Sequence, residues 1–320
     1  MRLIRRHIFF SFLLILSVTA IIQPLAAKDR SVLSFSAISG IRHGMVEEIV
    51  YYDKTLTTLL SRLDWEQKMS PFIGVKASVN IPYVSVSLAA SLGFPIRSGQ
   101  MEDFDWLNAG ANKGPLTHYS SHNAFLDKDL AASARVTLLV VDTQSFSFGP
   151  IAGISYRNRL WRAEDGYGQY PPEKTGPYTP WHEDAKKEPF HGLVISYNQT
   201  IISPSVGLTM EWMTKGSWGI TLSGSWLPYV SVDALDNHYL RGMQFRDIMD
   251  KGMGWNVEGT LGIPLGNGKN PKRLDVSVAY EHFALKGLGY NRAINTSAWN
   301  LDSNVGTTSS LWTIGIGFGF

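Results

Sequence analysis

The chain has 320 residues, of which 29 are lysine or arginine and 27 are aspartate or glutamate, and it contains no cysteine. Without cysteine the protein has neither disulfides nor thiolate metal sites. The near balance of charge gives no indication of a nucleic-acid partner.

The first 27 residues have the pattern of a cleaved export signal. Three arginines open the segment, an apolar stretch covers residues 8–22, and Ala26-Ala27 supplies small residues before a cleavage point. Removal of residues 1–27 leaves 26 basic and 27 acidic residues, a net charge of −1. The remainder, 28–320, shows no internal repeat or linker and is predicted to form a single domain.

Along that domain, large apolar residues repeatedly alternate with small or polar ones, the period of two that is typical of β-strands. The alternating windows lie at residues 84–94, 206–212, 218–226, 274–280 and 312–320. Charged residues in these windows fall on the sparse face and never on the apolar one. A lipid-facing wall around a polar lumen explains this distribution better than a dry sandwich core.

The connections between these windows come in two sizes. Short turns are predicted at 80–82, 214–216 and 266–271. Long polar segments lie at 97–128, 158–190, 233–252 and 286–307. No stretch after the signal approaches 18 uninterrupted apolar residues, so no spanning helix is expected. We therefore predict an all-β fold: a transmembrane antiparallel β-barrel of about ten strands in a bacterial outer membrane, with short periplasmic turns and long extracellular loops.

Two pairs of polar residues are candidates for chemistry at the mouth of this barrel. Asp103 and Asp105 form one pair and Asp236 and His238 the other, each with the i, i+2 spacing that points both side chains the same way on an extended chain. His238, oriented by Asp236, would take a proton from a water that Asp103 holds. From residue types alone, solvated loop side chains are the more common explanation, and an adhesin or a small pore remains an alternative to an enzyme.

The order of short motifs resembles the omptin family of outer-membrane endopeptidases over the whole mature chain. The motifs that carry the resemblance are Asp103-Phe104-Asp105-Trp106, Asp236-Asn237-His238-Tyr239, Leu63-Asp64-Trp65, Ser39-Gly40, and Thr117, Ser120 and His122. The resemblance implies a protease that acts on polypeptides, with its active site facing the cell exterior. It also implies His238 as general base, Asp236 as its partner, Asp103 and Asp105 at the water, and Ser120 as an accessory residue rather than a nucleophile.

No metal is implied, and lipopolysaccharide is the one lipid activator that the resemblance suggests. Arg157 and Arg159 are candidates for binding that lipid on the barrel exterior. His118 and His122 are spaced i, i+4, but no further ligand accompanies them, so a metal site is not predicted there. The oligomeric state is not indicated by the sequence.

Specificity is where the chain departs from the family pattern. Glu48 matches one acid of a substrate-binding pocket for basic side chains, but the second acid of that pocket is replaced by Ala234. Asp233 is adjacent, yet neighbours on a strand point to opposite faces. His118 stands at another position that is acidic in the family. We therefore expect proteolysis with a weakened preference for arginine or lysine.

The alternation along one strand conflicts with the orientation that the proposed site needs, and this conflict gives a structural prediction. Even positions carry the apolar face from Trp218 to Trp226, and unbroken alternation would turn Asp236 and His238 outward. The proposed site needs both inside. A bulge near Leu227-Pro228 would reset the alternation, because proline in strands is found at edges and bulges. We predict an irregularity between Trp226 and Asp236.

Overall fold

A computed structural model describes residues 32–108, 114–214, 218–266 and 272–320. The predicted signal peptide lies outside these residues and stays a prediction, as do parts of the turns at 214–216 and 266–271. No helix in the described ranges is long and apolar enough to cross a membrane.

Within the described residues, ten antiparallel strands form the wall of the molecule. Two of them, β3 and β7, are each interrupted once and continue in line after a short break. The strands are β1 (Leu33–Tyr51), β2 (Leu59–Ile81), β3 (Val84–Gly93 and Ile96–Asp105), β4 (His118–Leu138), β5 (Phe146–Gln169), β6 (Leu193–Met213), β7 (Gly219–Leu227 and Ser231–His238), β8 (Met243–Leu265), β9 (Lys272–Ala293) and β10 (Asn300–Gly319).

Each strand pairs with its neighbours in sequence, and the ring closes when β1 pairs with β10. That closing register runs from Ser36 opposite Gly319 to Tyr51 opposite Asn304. Among the ten described strands of the wall, closure leaves no edge strand, as a bilayer requires because it offers no water to unpaired backbone groups. The predicted all-β barrel of about ten strands is confirmed.

The two ends of the barrel differ in their connections. At one end β2 passes into β3 through only two residues, whereas at the other the link from β5 to β6 covers 170–192. We call the latter the long-loop end. The segment 233–252, expected there as a loop, is mostly paired strand, since β7 reaches His238 and β8 begins at Met243. Pairing satisfies the backbone of these polar strands beyond the bilayer.

The apolar faces predicted from alternation point outward. Trp226, Trp255 and Trp312 are 51%, 44% and 48% exposed and form an aromatic row toward the long-loop end. A second aromatic row, which includes Trp218 and Phe320, lies at the other end. Such girdles mark the two interfaces of a bilayer. The long-loop end of the strands therefore stands clear of the hydrocarbon region.

A bulge in β7, at the level of the upper aromatic row, reverses which alternate residues of the strand point into the barrel. Trp226 faces outward, but at the same parity Val230, Val232 and Ala234 are 0%, 0% and 1% exposed. Four residues of β7 (227–230) stand against three of β6 in the register. The predicted irregularity between Trp226 and Asp236 is confirmed. It is the reason that Asp236 lies inside the barrel, 3% exposed.

Strand β8 has a matching irregularity between Met249 and Lys251. Its outward face changes from Met253, 60% exposed, to Ile248, 41% exposed, so the parity is reversed here as well. Because both strands shift at the same level, the register of β7 against β8 is preserved while both inward faces change. Side chains of the two strands above this level therefore enter the same interior space.

Buried side chains fill the lumen directly below the long-loop end, above a second cavity of about 340 Å³. Arg42 Nη1 donates a hydrogen bond to Asp129 Oδ2 at 2.6 Å, and both residues are buried. Above this pair Trp65 stacks on Tyr197 with ring centroids 5.7 Å apart, and Trp161 completes a fully buried aromatic layer. This filling disfavours the open diffusion pore, because open channels usually need more strands.

The expectation that Arg157 and Arg159 lie on the exterior is wrong. Odd positions in this part of β5 face the lumen, whereas Ile154 and Tyr156 face lipid. Arg159 is 1% exposed and donates a hydrogen bond to Gln199 Oε1 at 2.9 Å. Arg157 pairs with a glutamate inside the barrel. Neither arginine can reach an exterior lipid.

Candidate active site

The structure brings all five residues singled out for catalysis and binding to one cavity at the long-loop end. Its volume is about 510 Å³, and its lining includes Glu48, Asp103, Asp105, Asp236 and His238. Strand β3 ends with the aspartate pair, and β7 ends with the Asp/His pair. Because both strands lead inward-facing side chains into the mouth, two motifs that are far apart in sequence meet across the barrel.

The Asp/His pair is formed by a direct contact. His238 Nε2 lies 2.5 Å from Asp236 Oδ2, and both side chains are largely buried. A carboxylate accepts, so Nε2 is the protonated nitrogen and Nδ1 is left as the basic one. The ring of Phe245 packs edge-on against the imidazole at 5.1 Å between centroids and holds its plane. The pair is therefore arranged to accept a proton at Nδ1.

The two carboxyls of the aspartate pair both have raised pKa values. Burial, followed by the charges of Asp105 and Asp236, raises the pKa of Asp103 well above its usual value. Burial also raises the pKa of Asp105, although nearby cations oppose it. Ser61 Oγ donates to Asp103 Oδ1 over 3.5 Å. Two buried neighbouring carboxyls do not ionise independently, so this pair keeps a proton to higher pH than solvated carboxyls do.

Ser120 and His122 form a second polar pair in the cavity. His122 Nδ1 lies 2.6 Å from the carbonyl oxygen of Asp165, and its Nε2 lies 2.9 Å from Ser120 Oγ. Since a carbonyl only accepts, Nδ1 donates and Nε2 accepts the hydroxyl proton of Ser120. Both residues are almost fully buried. The i, i+2 spacing of these residues on β4, the same as in the two candidate pairs, points both side chains to one face.

The segment that joins β5 to β6 folds back over the cavity. Asn108 Nδ2 donates to the carbonyl of Tyr178 at 2.6 Å, and Trp181 packs on Tyr119 at 5.5 Å between centroids. Tyr170 lines the cavity, and His118 packs against it at 5.4 Å. The segment 166–189 is thus partly a wall of the site.

Around Glu48 the structure adds a carboxyl that sequence reasoning missed. Ala234 lies inward as expected, while Asp233 faces outward in an exposed ion pair with Arg246. Directly opposite Ala234 on β8 stands Asp247, 4% exposed, in the same cavity. No motif marks Asp247. Only the register of β7 against β8 could have revealed it.

A model of the omptin family matches residues 30–318. The chain belongs to the omptin family. Members of this family are proteases of the outer membrane, in agreement with the barrel and its two aromatic rows. The predicted membership is confirmed.

Solved structures support the omptin fold. The outer membrane protease OmpT from Escherichia coli superposes with a TM-score of 0.81 at 18% identity, covering 93% of this chain and 99% of that one. At that identity the likeness shows the fold alone. The β domain of the Bordetella autotransporter BrkA (6% identity, 91% and 99% coverage) and the translocator domain of NalP from Neisseria meningitidis (8%, 91% and 89%) have TM-scores of 0.31 and carry no argument. No curated protein matches the sequence.

We expect the buried carboxyl of Asp247 to make the stability of this omptin dependent on pH. Burial, and then the charges of Asp236 and Asp302, raise the pKa of Asp247 from 3.8 to about 8; Glu48 is a further carboxyl nearby. Between these values the folded state holds a proton that the unfolded chain has released, so stability falls as pH rises and levels off above about 8. An Asp247→Asn variant lacks this loss.

We therefore expect the urea midpoint of Asp247→Asn to exceed that of the wild type at pH 9 by more than it does at pH 5. Asp233→Asn, an exposed carboxyl one strand position from Ala234, serves as the control and should show no such pH-dependent gain. An equal difference between Asp247→Asn and wild type at both pH values would show that Asp247 titrates normally.

Proposed function

We propose that the protein is an endopeptidase that hydrolyses peptide bonds with a water activated between Asp236–His238 and Asp103–Asp105. The observation that carries the proposal is the 2.5 Å contact of His238 Nε2 with Asp236 in a cavity that the aspartate pair also lines. A general base needs such an orienting partner and a free basic nitrogen within reach of the water.

The proposed reaction uses these groups in sequence. Nδ1 of His238 takes a proton from the water as its oxygen attacks the carbonyl carbon, and Asp236 stabilises the imidazolium. Asp103 positions the water, and Asp105 supports Asp103. The imidazolium then returns the proton to the leaving amine as the C–N bond breaks. No covalent enzyme intermediate is formed.

We also propose that the site faces the cell exterior. Outer-membrane barrels have short periplasmic turns and longer extracellular loops. The cavity lies at the long-loop end, beyond the aromatic row formed by Trp226, Trp255 and Trp312. In this orientation the substrates are polypeptides outside the cell.

Lipopolysaccharide is retained as a proposed activator, at a different place from the one first expected. Phe125 pairs across the outer wall with Arg97 on β3 and Arg162 on β5. The Arg162 guanidinium lies 4.6 Å from the Phe125 ring centroid. Two arginines beside a half-buried ring suit an anionic lipid headgroup, which would compete with Asp127 for Arg162.

The proposal is tested by refolding the full chain in detergent with and without lipopolysaccharide and incubating it with a library of end-blocked peptides. Internal cleavage detected by mass spectrometry, absent from a His238→Ala variant prepared in parallel, is the expected result. Cleavage that requires lipopolysaccharide would support the lipid as activator. No cleavage above that of His238→Ala under either condition would favour the alternative, a catalytically inactive barrel that serves as an adhesin or structural protein.

The Ser120–His122 contact raises one competing mechanism, nucleophilic attack by the serine. We expect Ser120→Ala to lower kcat/KM by less than about tenfold, because the proposed water mechanism needs no hydroxyl there. A serine nucleophile would instead lose about 10⁴-fold or more. Initial rates on one cleaved peptide decide between them, and labelling of Ser120 by a fluorophosphonate would independently contradict the water mechanism.

A further inference from the structure

The cavity at the long-loop end is rich in acids, which poses a problem for the proposed reaction. Six carboxyl side chains reach it from five strands: Glu48, Asp103, Asp105, Asp236, Asp247 and Asp302. Attack of a water on a peptide carbonyl places negative charge on the carbonyl oxygen. Carboxylates repel that charge, and neither the Asp/His pair nor the aspartate pair can receive it. The reaction therefore needs a positive hydrogen-bond donor beside the water.

Arg241 stands at the rim of the same cavity. Among the described residues that line the cavity, it is the one arginine or lysine. It follows His238 by three residues, on a short 3₁₀ turn (Tyr239–Arg241) between β7 and β8. Gly242 ends the turn in the left-handed region, with φ of 62°, and its carbonyl accepts the N–H of Ile294 at 2.9 Å. The backbone that carries Arg241 is thus tied to the end of β9.

The Arg241 guanidinium lies over the ring that supports the proposed base. Its Cζ is 5.6 Å from the ring centroid of Phe245, which packs edge-on against His238 at 5.1 Å. Burial raises the pKa values of Asp103 and Asp105, and the charge of Arg241 is among those that oppose the rise. Arg241 is exposed, and no hydrogen bond or salt bridge with a described residue engages its guanidinium. Its five N–H donors are therefore available to a substrate.

Other hydrogen-bond donors around the cavity are already engaged. His238 Nε2 donates to Asp236, and its Nδ1 is the atom that takes the proton of the water. His122 Nδ1 donates to the carbonyl of Asp165. As far as Asp105 and His238, β3 and β7 are paired with a neighbour on each side, so the strand ladder uses their backbone N–H groups. Arg241 is left as the charged donor without a partner.

We propose that Arg241 is a further catalytic residue, which donates hydrogen bonds to the carbonyl oxygen of the scissile bond and stabilises its oxyanion; the assignment rests on the proposed peptidase function. As the water oxygen bonds to the carbonyl carbon, the π-electron pair moves onto the carbonyl oxygen. The guanidinium binds that charge and keeps all its protons. When the C–N bond breaks, the pair returns and restores the C=O bond. A bound peptide displaces water from Arg241, which strengthens its charge-assisted hydrogen bonds.

Cleavage rates give the first test. In the full chain refolded with lipopolysaccharide, Arg241→Ala should lower kcat by about 10²–10³-fold, the usual loss when one oxyanion donor is removed. KM should change little, because the carbonyl oxygen of the bound substrate has not yet become an anion. Millimolar guanidinium chloride should restore part of the kcat of Arg241→Ala. Arg246→Ala is the matched control and should keep the wild-type kcat, because Arg246 pairs with Asp233 on the outward face.

Binding of a stable analogue gives a second test that needs no turnover. One peptide has a phosphinic group in place of the scissile amide, which is tetrahedral and anionic, and its twin has a neutral hydroxyethylene group there. Arg241→Ala should weaken binding of the phosphinic peptide by about 10²–10³-fold. It should weaken binding of the hydroxyethylene twin by less than about tenfold, the range of a neutral hydrogen bond.

Three results would overturn the role of Arg241 while leaving the peptidase function intact. The first is a wild-type kcat in Arg241→Ala. The second is equal weakening of both analogues, which would mean that Arg241 only supports Phe245 and the binding site. The third is a loss of rate that disappears at higher pH, which would mean that Arg241 acts through the ionisation of Asp103 and Asp105. If the phosphinic peptide depends on Arg241 but the wild type cleaves nothing, the peptidase function fails while the anion site stands.

Discussion

Replacing His238 with alanine is expected to lower kcat on a cleaved peptide by about 10²–10⁴-fold, the usual contribution of a general base. The variant loses the imidazole that contacts Asp236 at 2.5 Å in this cavity. KM should change little, because Glu48, the residue expected to bind the substrate, is unchanged. Rates are measured on the refolded full chain with lipopolysaccharide, at saturating and subsaturating peptide.

His191→Ala is the matched control, because His191 is an exposed histidine in the segment between β5 and β6. It should retain the wild-type kcat. The split between kcat and KM separates a chemical role from a structural one: a kcat that falls while KM is retained supports the base. A His238→Ala variant that is fully active would remove His238 from the mechanism.

The alternation of apolar and polar residues predicts most of this fold, because contact with lipid requires that alternation in every strand of the barrel. Between the two aromatic rows, every outward side chain must be apolar and every backbone group must be paired. Windows such as 312–320 can therefore be predicted as strands without homologous structures. Above the upper row that constraint ends. Strands there are polar on both faces, which is why 233–252 looked like a loop although it is mostly paired strand.

Prediction from the sequence also succeeded for some residues of the site and failed for others. Asp103, Asp105, Asp236 and His238 are readable from spacing and family motifs, and the structure brings them into one cavity. The orientation of Arg159 was misjudged because the lumen and the exterior differ by one residue of register. Asp247 was missed because its inward orientation depends on the bulge in β8, which no proline or other local signal in the sequence indicates.

The two bulges divide the barrel into a membrane-spanning part and an upper part that forms the site. β7 and β8 change face together, so the membrane barrel below keeps its apolar exterior while the strands above place acids inside. Between the two parts lies the buried pair Arg42–Asp129, with Gln67 Nε2 donating to the same Asp129 Oδ2 at 3.1 Å. This layer ties β1, β2 and β4 together beneath the aromatic layer that lies under the site.

Asp129→Ala should therefore destabilise the barrel by about 3–5 kcal/mol, the usual cost of removing one partner from a buried ion pair. Arg42 is 4% exposed and would be left charged, with Ser91 Oγ at 2.6 Å as its remaining hydrogen-bond acceptor. Urea midpoints of the refolded chain measure the loss. Asp233→Ala, which breaks the exposed pair with Arg246, should cost no more than about 1 kcal/mol. Equal losses in the two variants would mean that the pair is solvated in the lumen, and the filled barrel would then have to be regarded as a water-filled one.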